Sequence, residues 1–170
     1  MEKTKMIYTG TCDSPLGKIT FAGNEAGLSG LWMEGQKYFA SGISGSCELG
    51  ELEVFRKTRK WLEIYFSGEE PDFIPPLYLT GTPFQKSVWE ILLTIPYGET
   101  MTYGEIAAQI AKARKIKRMS AQAVGGAVGK NPISLIIPCH RVIGSDGSLT
   151  GYAGGIEKKR ALLELEKGIR

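Results

Sequence analysis

The chain has 170 residues, of which 42% are hydrophobic, and its formal net charge is +3. This length and composition are sufficient for a packed core and predict a globular protein of one large or two small domains. No apolar run approaches the ~20 residues of a membrane-spanning helix, and the first residues lead into no apolar signal segment, so we expect a cytoplasmic protein without a membrane anchor.

The cysteine and histidine content argues against disulfides and metal binding. Cys12, Cys47 and Cys139 make an odd number without a Cys-x-x-Cys spacing, and His140 is the single histidine of the sequence. A conventional zinc site needs several such ligands close together. We therefore expect reduced thiols, no metal and no cofactor.

The first 80 residues predict a small domain with an antiparallel sheet. Short β-favouring stretches alternate with turn-forming segments, as is typical of a meander, at residues 6–9, 18–22 and 27–33. Residues 51–66 carry apolar side chains at helical spacing, Tyr65 among them, and predict a helix whose apolar face belongs to the core. Residues 41–50 are rich in Ser and Gly and predict a loop, and three prolines then precede a domain boundary near residue 80.

Residues 81–170 predict a mostly helical domain. Thr82-Pro83-Phe84-Gln85 has the pattern of a capping box with proline at the first helical position and predicts a helix to about residue 94. Thr102-Tyr103-Gly104-Glu105 repeats the box pattern and predicts a helix to about residue 111, and a second short helix rich in Ala and Gly follows at residues 120–129. This pair predicts a helix-turn-helix, so the fold class is α+β, with domains at residues 1–80 and 81–170.

The small residues at 120–129 and the charge distribution each permit two interpretations. A helix lined with Ala and Gly can approach a nucleic-acid groove closely or pack tightly against a neighbouring helix. Residues 1–80 carry 8 basic and 11 acidic side chains, whereas residues 81–170 carry 13 basic and 7 acidic ones. Five of the basic residues lie within residues 112–118, which indicates either contact with a phosphate backbone or a solvated loop.

Cys139 and His140 follow an apolar run at residues 133–137. Because an imidazole can lower the pKa of a thiol or take its proton, the adjacent pair indicates an activated nucleophile; the alternative is a buried cysteine at a strand end beside a surface histidine. The glycine-rich segment 144–155 contains one aromatic residue, Tyr152. Such a loop can wrap a flat ligand, or it can be a hairpin turn followed by a helix cap.

Together these segments resemble the 6-O-alkylguanine-DNA alkyltransferases, the methylated-DNA-protein-cysteine methyltransferases. The resemblance covers most of the C-terminal half and is carried by the following motifs: Asn131-Pro132, Pro138-Cys139-His140-Arg141-Val142, Gly151-Tyr152-Ala153-Gly154-Gly155, Gly81-Thr82-Pro83-Phe84-Gln85, Ile95-Pro96-Tyr97-Gly98-Glu99-Thr100, Thr102-Tyr103-Gly104-Glu105-Ile106-Ala107 and Ala123-Val124-Gly125-Gly126-Ala127-Val128. The N-terminal half resembles the variable domain of the family only loosely.

The resemblance implies a single-use transfer of an alkyl group from the 6-oxygen of guanine to Cys139. It implies that His140 takes the thiol proton through a water, that Glu166 holds the imidazole, and that Asn131 braces the turn before the active site. A water is physically sensible because consecutive side chains of an extended segment point to opposite faces. The residues expected to bind the extruded guanine are Tyr103, Val142, Tyr152 and Ala153, the last standing where the family often has serine.

The expected partner is double-stranded DNA that contains alkylated guanine, bound by a monomer. The family inserts the second helix of its helix-turn-helix into the minor groove, and an arginine there fills the gap of the extruded base; this chain has Gln122 at that position. The expected DNA-binding residues are Gln122, Ala121, Ala123, Gly125, Lys117, Arg118 and Arg141, the last being either structural or phosphate-facing. The alternatives are a non-catalytic binder of alkylated DNA and, less favoured, a thiol hydrolase.

Overall fold

The N-terminal sheet forms from the predicted meander. The computed structural model describes residues 7–35, 47–49, 51–149 and 155–168. Its first strands, β1 (Ile7–Ser14), β2 (Gly17–Asn24) and β3 (Gly27–Met33), pair antiparallel, which confirms the prediction. A fourth strand, β4 (Cys47–Leu49), pairs parallel with β1 and gives the order β3-β2-β1-β4. The prediction of a loop over residues 41–50 is therefore wrong for β4, because the outer edge of β1 offers backbone groups that even a short strand can pair.

Helix α1 (Glu53–Phe66) covers the sheet and begins two residues later than predicted, after Leu52. Its buried face packs against the sheet, and the rings of Phe21 and Phe55 lie 4.9 Å apart between centroids. Tyr65, on the last turn of α1, is completely buried. The apolar face of this helix thus belongs to the core, as its spacing predicted.

The free edge of β3 is paired with two later segments of the chain. The Leu28 N–H donates to the Pro76 carbonyl (2.8 Å), and the Leu31 N–H donates to the Pro132 carbonyl (2.9 Å). The Ser134 N–H returns a bond to the Leu31 carbonyl (3.0 Å). The sheet consequently holds residues 132–134, which lead directly to Cys139.

The C-terminal domain is helical, as predicted. Its helices are α2 (Pro83–Leu92), α3 (Tyr103–Arg114), α4 (Ala121–Gly129) and α5 (Ile156–Glu166). Both bonds of the capping box at Thr82 are present, and the hydroxyls of Thr102 and Ser120 accept N–H bonds at the starts of α3 and α4. Helix α3 ends at Arg114, three residues later than predicted, and is followed by a left-handed Lys115 (φ 57°). Residues 115–120 join α3 to α4 in the predicted helix-turn-helix.

The segment around Cys139 is not extended, contrary to expectation. Ile133 forms an isolated bridge with Leu31, residues 134–136 form a turn in which Leu135 is left-handed (φ 71°), and Cys139–Arg141 form a 3₁₀ turn. The left-handed residue reverses the chain before a strand can form. The next strand, β6 (Val142–Ile143), pairs parallel with β5 (Met101–Thr102) and brings the start of α3 beside the Cys139 turn.

Among the described residues, no helix is both long enough and apolar enough to cross a membrane. The domain boundary near residue 80 stays a prediction.

Candidate active site

The thiol of Cys139 is buried and rests in its protonated form. Burial raises its pKa above the ordinary value of 9.0, while a hydrogen bond from Asn131, the charge of Lys159 and nearby backbone N–H groups act in the opposite direction. Asn131 also spans the turn, since its Nδ2 donates to the Ile137 carbonyl (2.7 Å) and its Oδ1 accepts from the Ile133 N–H (3.0 Å). Nucleophilic attack by this thiol therefore requires a group that accepts its proton.

His140 is placed to be that acceptor. Its imidazole is completely buried, and its Nε2 lies 2.5 Å from Oε2 of Glu166. Burial lowers the pKa of His140 below 6.5, and the charges of Arg141 and Lys159 lower it further against the opposing effect of Glu166. A neutral imidazole beside a carboxylate carries its proton on Nε2, which leaves a lone pair on Nδ1. This Nδ1 atom is buried and has no hydrogen-bond partner among the described residues.

Glu166 is ionised and strongly hydrogen-bonded. Burial alone would raise its pKa, but the bonds and charges of His140 and Arg141 hold the pKa at about 2. Its Oε1 accepts from the Gly98 N–H (3.0 Å), and its Oε2 accepts from the Tyr65 hydroxyl (2.6 Å). The sequence expectation that Glu166 lies beside the imidazole agrees with this placement.

Arg141 lies in the interior, so its inclusion among the DNA-contacting residues is not supported. Its Nε and Nη2 donate to the two oxygens of Glu166 (2.7 and 3.1 Å), and its Nη1 donates to the Ile95 carbonyl (2.8 Å). Only 8% of the residue is exposed. Burial of its charge is tolerated because the guanidinium compensates a buried carboxylate. Arg141 was expected to be either structural or phosphate-facing, and its position agrees with a structural role.

Lys159 is a member of the site that the sequence analysis did not identify. Its side chain is completely buried in α5, and burial lowers its pKa to about 8 against the attraction of Cys139. Adjacent lysines at the start of a helix usually indicate a solvated face. A signal was nevertheless present, because Lys159 shares the i, i+3, i+4, i+7 spacing of one helical face with Leu162, Leu163 and Glu166, which are all buried.

The expected guanine-binding residues are only partly described. Tyr103 is half-buried at the start of α3, and its pKa is raised by burial and by the nearby Cys139. Val142 is completely buried in β6. Tyr152 and Ala153 lie outside the described residues, so their roles stay predictions.

Helix α4 presents its small residues outward. Ala121, Gln122, Ala123 and Gly126 are exposed, while the indole N–H of Trp89 fixes the opposite face by donating to the Ala127 carbonyl (2.9 Å). A Cβ atom added at Gly126 meets nothing within 4 Å, and one added at Gly125 touches only the Tyr103 ring at an ordinary 3.8 Å. Tight packing between helices thus does not account for these two glycines. Lys117 and Arg118 are exposed in the preceding turn.

No group of three or more potential metal ligands occurs among the residues that the structure describes.

Comparisons with known proteins find matches in both halves of the chain. Family models match residues 83–168 (6-O-methylguanine DNA methyltransferase, DNA binding domain) and residues 7–79 (6-O-methylguanine DNA methyltransferase, ribonuclease-like domain). The methylated-DNA–protein-cysteine methyltransferase of Mycobacterium tuberculosis is 51% identical over 162 residues, covering 95% of this chain and 93% of the relative. That of Methanosarcina barkeri is 48% identical over 95% of this chain and 98% of its own.

A solved structure gives the same result. The crystal structure of Mycobacterium tuberculosis OGT in complex with DNA has a TM-score of 0.81 and 49% sequence identity, covering 95% of this chain and 93% of that one. Because the match covers 95% of this chain, it includes both halves.

The buried position of Arg141 predicts a large effect on stability. Arg141→Met leaves the Glu166 carboxylate buried with less compensation, and we expect the free energy of unfolding to fall by about 3–5 kcal/mol in urea titrations. Arg56→Met is the matched control, because Arg56 forms an exposed pair with Glu53 (2.9 Å), and such pairs contribute less than about 1 kcal/mol. Equal losses in the two variants, or weakened DNA binding by Arg141→Met at unchanged stability, would contradict the placement.

Proposed function

The chain belongs to the 6-O-methylguanine DNA methyltransferase family, and on this premise we propose that Cys139 is the cysteine that accepts the alkyl group. The chain is accordingly an alkylguanine DNA repair methyltransferase and binds DNA. The observation that carries the proposal is the buried Cys139 thiol in the same turn as an imidazole that is paired with a carboxylate at 2.5 Å.

The transfer is a single displacement. The sulfur of Cys139 forms a bond to the alkyl carbon as the bond from that carbon to the 6-oxygen of guanine breaks, and the electron pair of the broken bond goes to guanine. The thiol proton passes to His140 and then to solvent, while the departing guanine gains a proton from solvent, so the products are a neutral thioether and an unmodified base. Hydrogen-bond donors at the oxygen, such as the Tyr103 hydroxyl, favour the departure of guanine.

His140 and Glu166 handle the thiol proton. The lone pair of His140 Nδ1 accepts it through a water, and the carboxylate of Glu166 stabilises the imidazolium that forms. The buried position of Nδ1 without a described partner supports this route. Lys159 adds a positive charge near Cys139, which favours the developing thiolate.

The reaction occurs once per chain. A thioether has no acidic proton and is a poor electrophile, so it is not cleaved under the conditions in which it forms. The alkylated protein is therefore an end product, which distinguishes this function from that of a thiol hydrolase. A non-catalytic binder of alkylated DNA would have no use for the buried Cys139, His140 and Glu166 arrangement.

The exposed face of α4 is proposed to enter the minor groove of duplex DNA. Two adjacent glycines in a helix each reduce its stability by roughly 0.5–1 kcal/mol relative to alanine, and packing inside the protein does not require them. A close external surface does account for them. The exposed Lys117 and Arg118, in the turn before α4, suit contact with flanking phosphates.

Gln122 is proposed to occupy the gap that the extruded guanine leaves in the base stack. Gln122 is the second residue of α4, and its side chain is exposed. The next residue, Ala123, donates its N–H to the capping hydroxyl of Ser120. A glutamine can hydrogen-bond the unpaired partner base but adds no charge to the DNA contact. The expectations of a monomer and of a cytoplasmic location stay predictions.

The acceptor residue can be identified by mass. Mixing the protein with duplex DNA that contains 6-O-methylguanine should add one methyl group per chain, on Cys139, as read by intact mass and peptide mapping. Cys139→Ala should abolish the transfer but leave DNA binding, whereas the control Cys12→Ala should retain both, because Cys12 is a half-buried thiol with a raised pKa. A methyl group on another cysteine, or many turnovers per chain, would refute the proposal.

The proton relay predicts a specific pH dependence. Because the pKa of His140 lies below 6.5, its neutral form persists as the pH falls through 6.5, and the single-turnover rate should decline only at lower pH. His140→Ala should slow transfer by about 10²-fold or more at neutral pH. The residual rate should increase towards alkaline pH, since the thiolate of Cys139 then forms only above pH 9. Rapid-quench rates with parallel pH profiles in both proteins would exclude the relay.

The glycines of α4 predict opposite effects on stability and DNA binding. Gly126→Ala should raise the free energy of unfolding by about 0.5–1 kcal/mol, because the helix gains propensity and the added methyl group meets open space. It should also weaken binding to duplex DNA in a fluorescence anisotropy titration. Gly126→Leu is the matched second variant, since leucine is also a good helix former but is larger. Unchanged affinity in both variants would show that this face does not contact DNA.

A further inference from the structure

The hydroxyl of Tyr65 connects the N-terminal domain to the reactive groups of the C-terminal domain. It donates a hydrogen bond of 2.6 Å to Oε2 of Glu166 and lies 3.3 Å from Nε2 of His140. Tyr65 belongs to α1, and 101 residues separate it from Glu166 in the sequence. The contact between imidazole and carboxylate thus has a third member from a different domain.

The Tyr65 ring is held so firmly that its hydroxyl has a fixed position. The ring is completely buried and stacks on Trp61 at a centroid distance of 5.1 Å with an interplanar angle of 9°. Phe66 and Tyr97 contact it edge-on at 5.3 and 6.1 Å. Packing of this kind accounts for a core aromatic residue but does not require a hydroxyl, and a phenylalanine would fill the same space.

The hydroxyl has one proton, and the two distances show where it goes. The 2.6 Å contact shows that the hydroxyl proton points to Oε2 of Glu166. The hydroxyl oxygen therefore faces the Nε2–H of His140 at 3.3 Å. A hydrogen bond to a carboxylate stabilises its charge and reduces its attraction for a neighbouring proton. The Tyr65 hydroxyl therefore weakens the pull of Glu166 on the imidazole and also restricts the rotation of both groups.

We propose that Tyr65 is a positioning residue for alkyl transfer, whose hydroxyl orients Glu166 and keeps His140 as the neutral base with its proton on Nε2. This inference rests on the proposed proton relay. The N-terminal domain then takes part in the chemistry through one oxygen atom, in addition to its backbone contacts with residues 132–134.

The charged and titratable groups that surround this contact come from several elements. They are Glu166 and Lys159 on α5, His140 and Arg141 in the 3₁₀ turn, and Tyr97 after α2. Arg141 and Glu166 offset each other, so removal of the Tyr65 hydroxyl changes the strength of an interaction and not the net charge. The 2.6 Å bond to Glu166 outweighs the 3.3 Å contact with His140 Nε2, and this decides the expected sign. Without its donor, Glu166 attracts the imidazole proton more strongly and the pKa of His140 rises.

The matched pair of variants is Tyr65→Phe and Tyr97→Phe. Each removes one buried tyrosine hydroxyl near Glu166 and Arg141, but the Tyr97 hydroxyl has no hydrogen-bond partner among the described residues. Because His140 is the single histidine of the chain, incorporation of ¹⁵N-labelled histidine gives NMR signals from that residue alone. These signals report both its tautomer and its titration midpoint.

Tyr65→Phe should move the His140 midpoint upward by about half to one pH unit, as expected for the loss of one hydrogen bond to a charged partner. The acid limb of the single-turnover methyl-transfer rate should move upward with it, so that the rate at pH 6 falls several-fold. DNA affinity should be unchanged. The control Tyr97→Phe should move neither the His140 midpoint nor the acid limb of the rate. When Tyr65→Phe is combined with Glu166→Gln, it should have no further effect on the rate.

A second substitution guards against misfolding of the phenylalanine variant. Incorporation of 3-fluorotyrosine at position 65 keeps the ring and the hydroxyl but makes the hydroxyl a stronger donor, so it should move the His140 midpoint downward, opposite to phenylalanine. Failure of the midpoint and the acid limb to move in either variant, or equal shifts in the Tyr97→Phe control, would overturn the role of Tyr65. A wild-type rate that does not follow the His140 titration would instead overturn the relay, while the NMR shifts still report the Tyr65 contact.

Discussion

The buried carboxylate of Glu166 is the group on which the active site depends. A buried carboxylate is strongly unfavourable unless donors surround it. Here it accepts bonds from Tyr65 on α1, from the Gly98 backbone after α2, and from His140 and Arg141 in the 3₁₀ turn. These donors come from three separate segments of the chain. The bonds that stabilise the buried carboxylate thus also link α1, the residues after α2 and the 3₁₀ turn to α5.

The charges around Glu166 determine the resting state of the reactive groups. Arg141 already compensates the carboxylate, so a proton on His140 would add an unbalanced positive charge close to Lys159. The imidazole therefore stays neutral, and burial keeps the Cys139 thiol protonated. The site stores neither a thiolate nor an imidazolium before DNA arrives. This arrangement suits a protein that reacts once, because a permanently ionised thiol would also react with other electrophiles.

The sequence prediction of the fold class is confirmed. The expectation that Glu166 lies beside His140, next to Cys139, agrees with the structure, and the failures have physical causes. Cys139 and His140 could be found because they belong to a motif with fixed spacing. Glu166, which is distant in the sequence, could be found because its position matches the family pattern. Tyr65 could not be found, because its spacing in α1 identifies it only as a core residue and nothing local indicates what its hydroxyl meets. Arg141 illustrates the same limit, since a basic residue beside a DNA-binding motif has the same sequence signature whether it contacts phosphate or a buried carboxylate.

Several departures from ordinary folding rules occur in the C-terminal domain. Leu135 adopts a left-handed conformation, Lys159 is buried, and Gly126 lies in a helix that gains no internal packing from it. Each feature reduces stability by an amount on the order of 1 kcal/mol or more. The chain tolerates them because β3 fixes the residues before Cys139 through backbone bonds and Trp89 fixes α4 from its buried side. The N-terminal sheet therefore stabilises the segment that leads to Cys139, although the side chains of Cys139, His140 and Glu166 all lie outside that sheet.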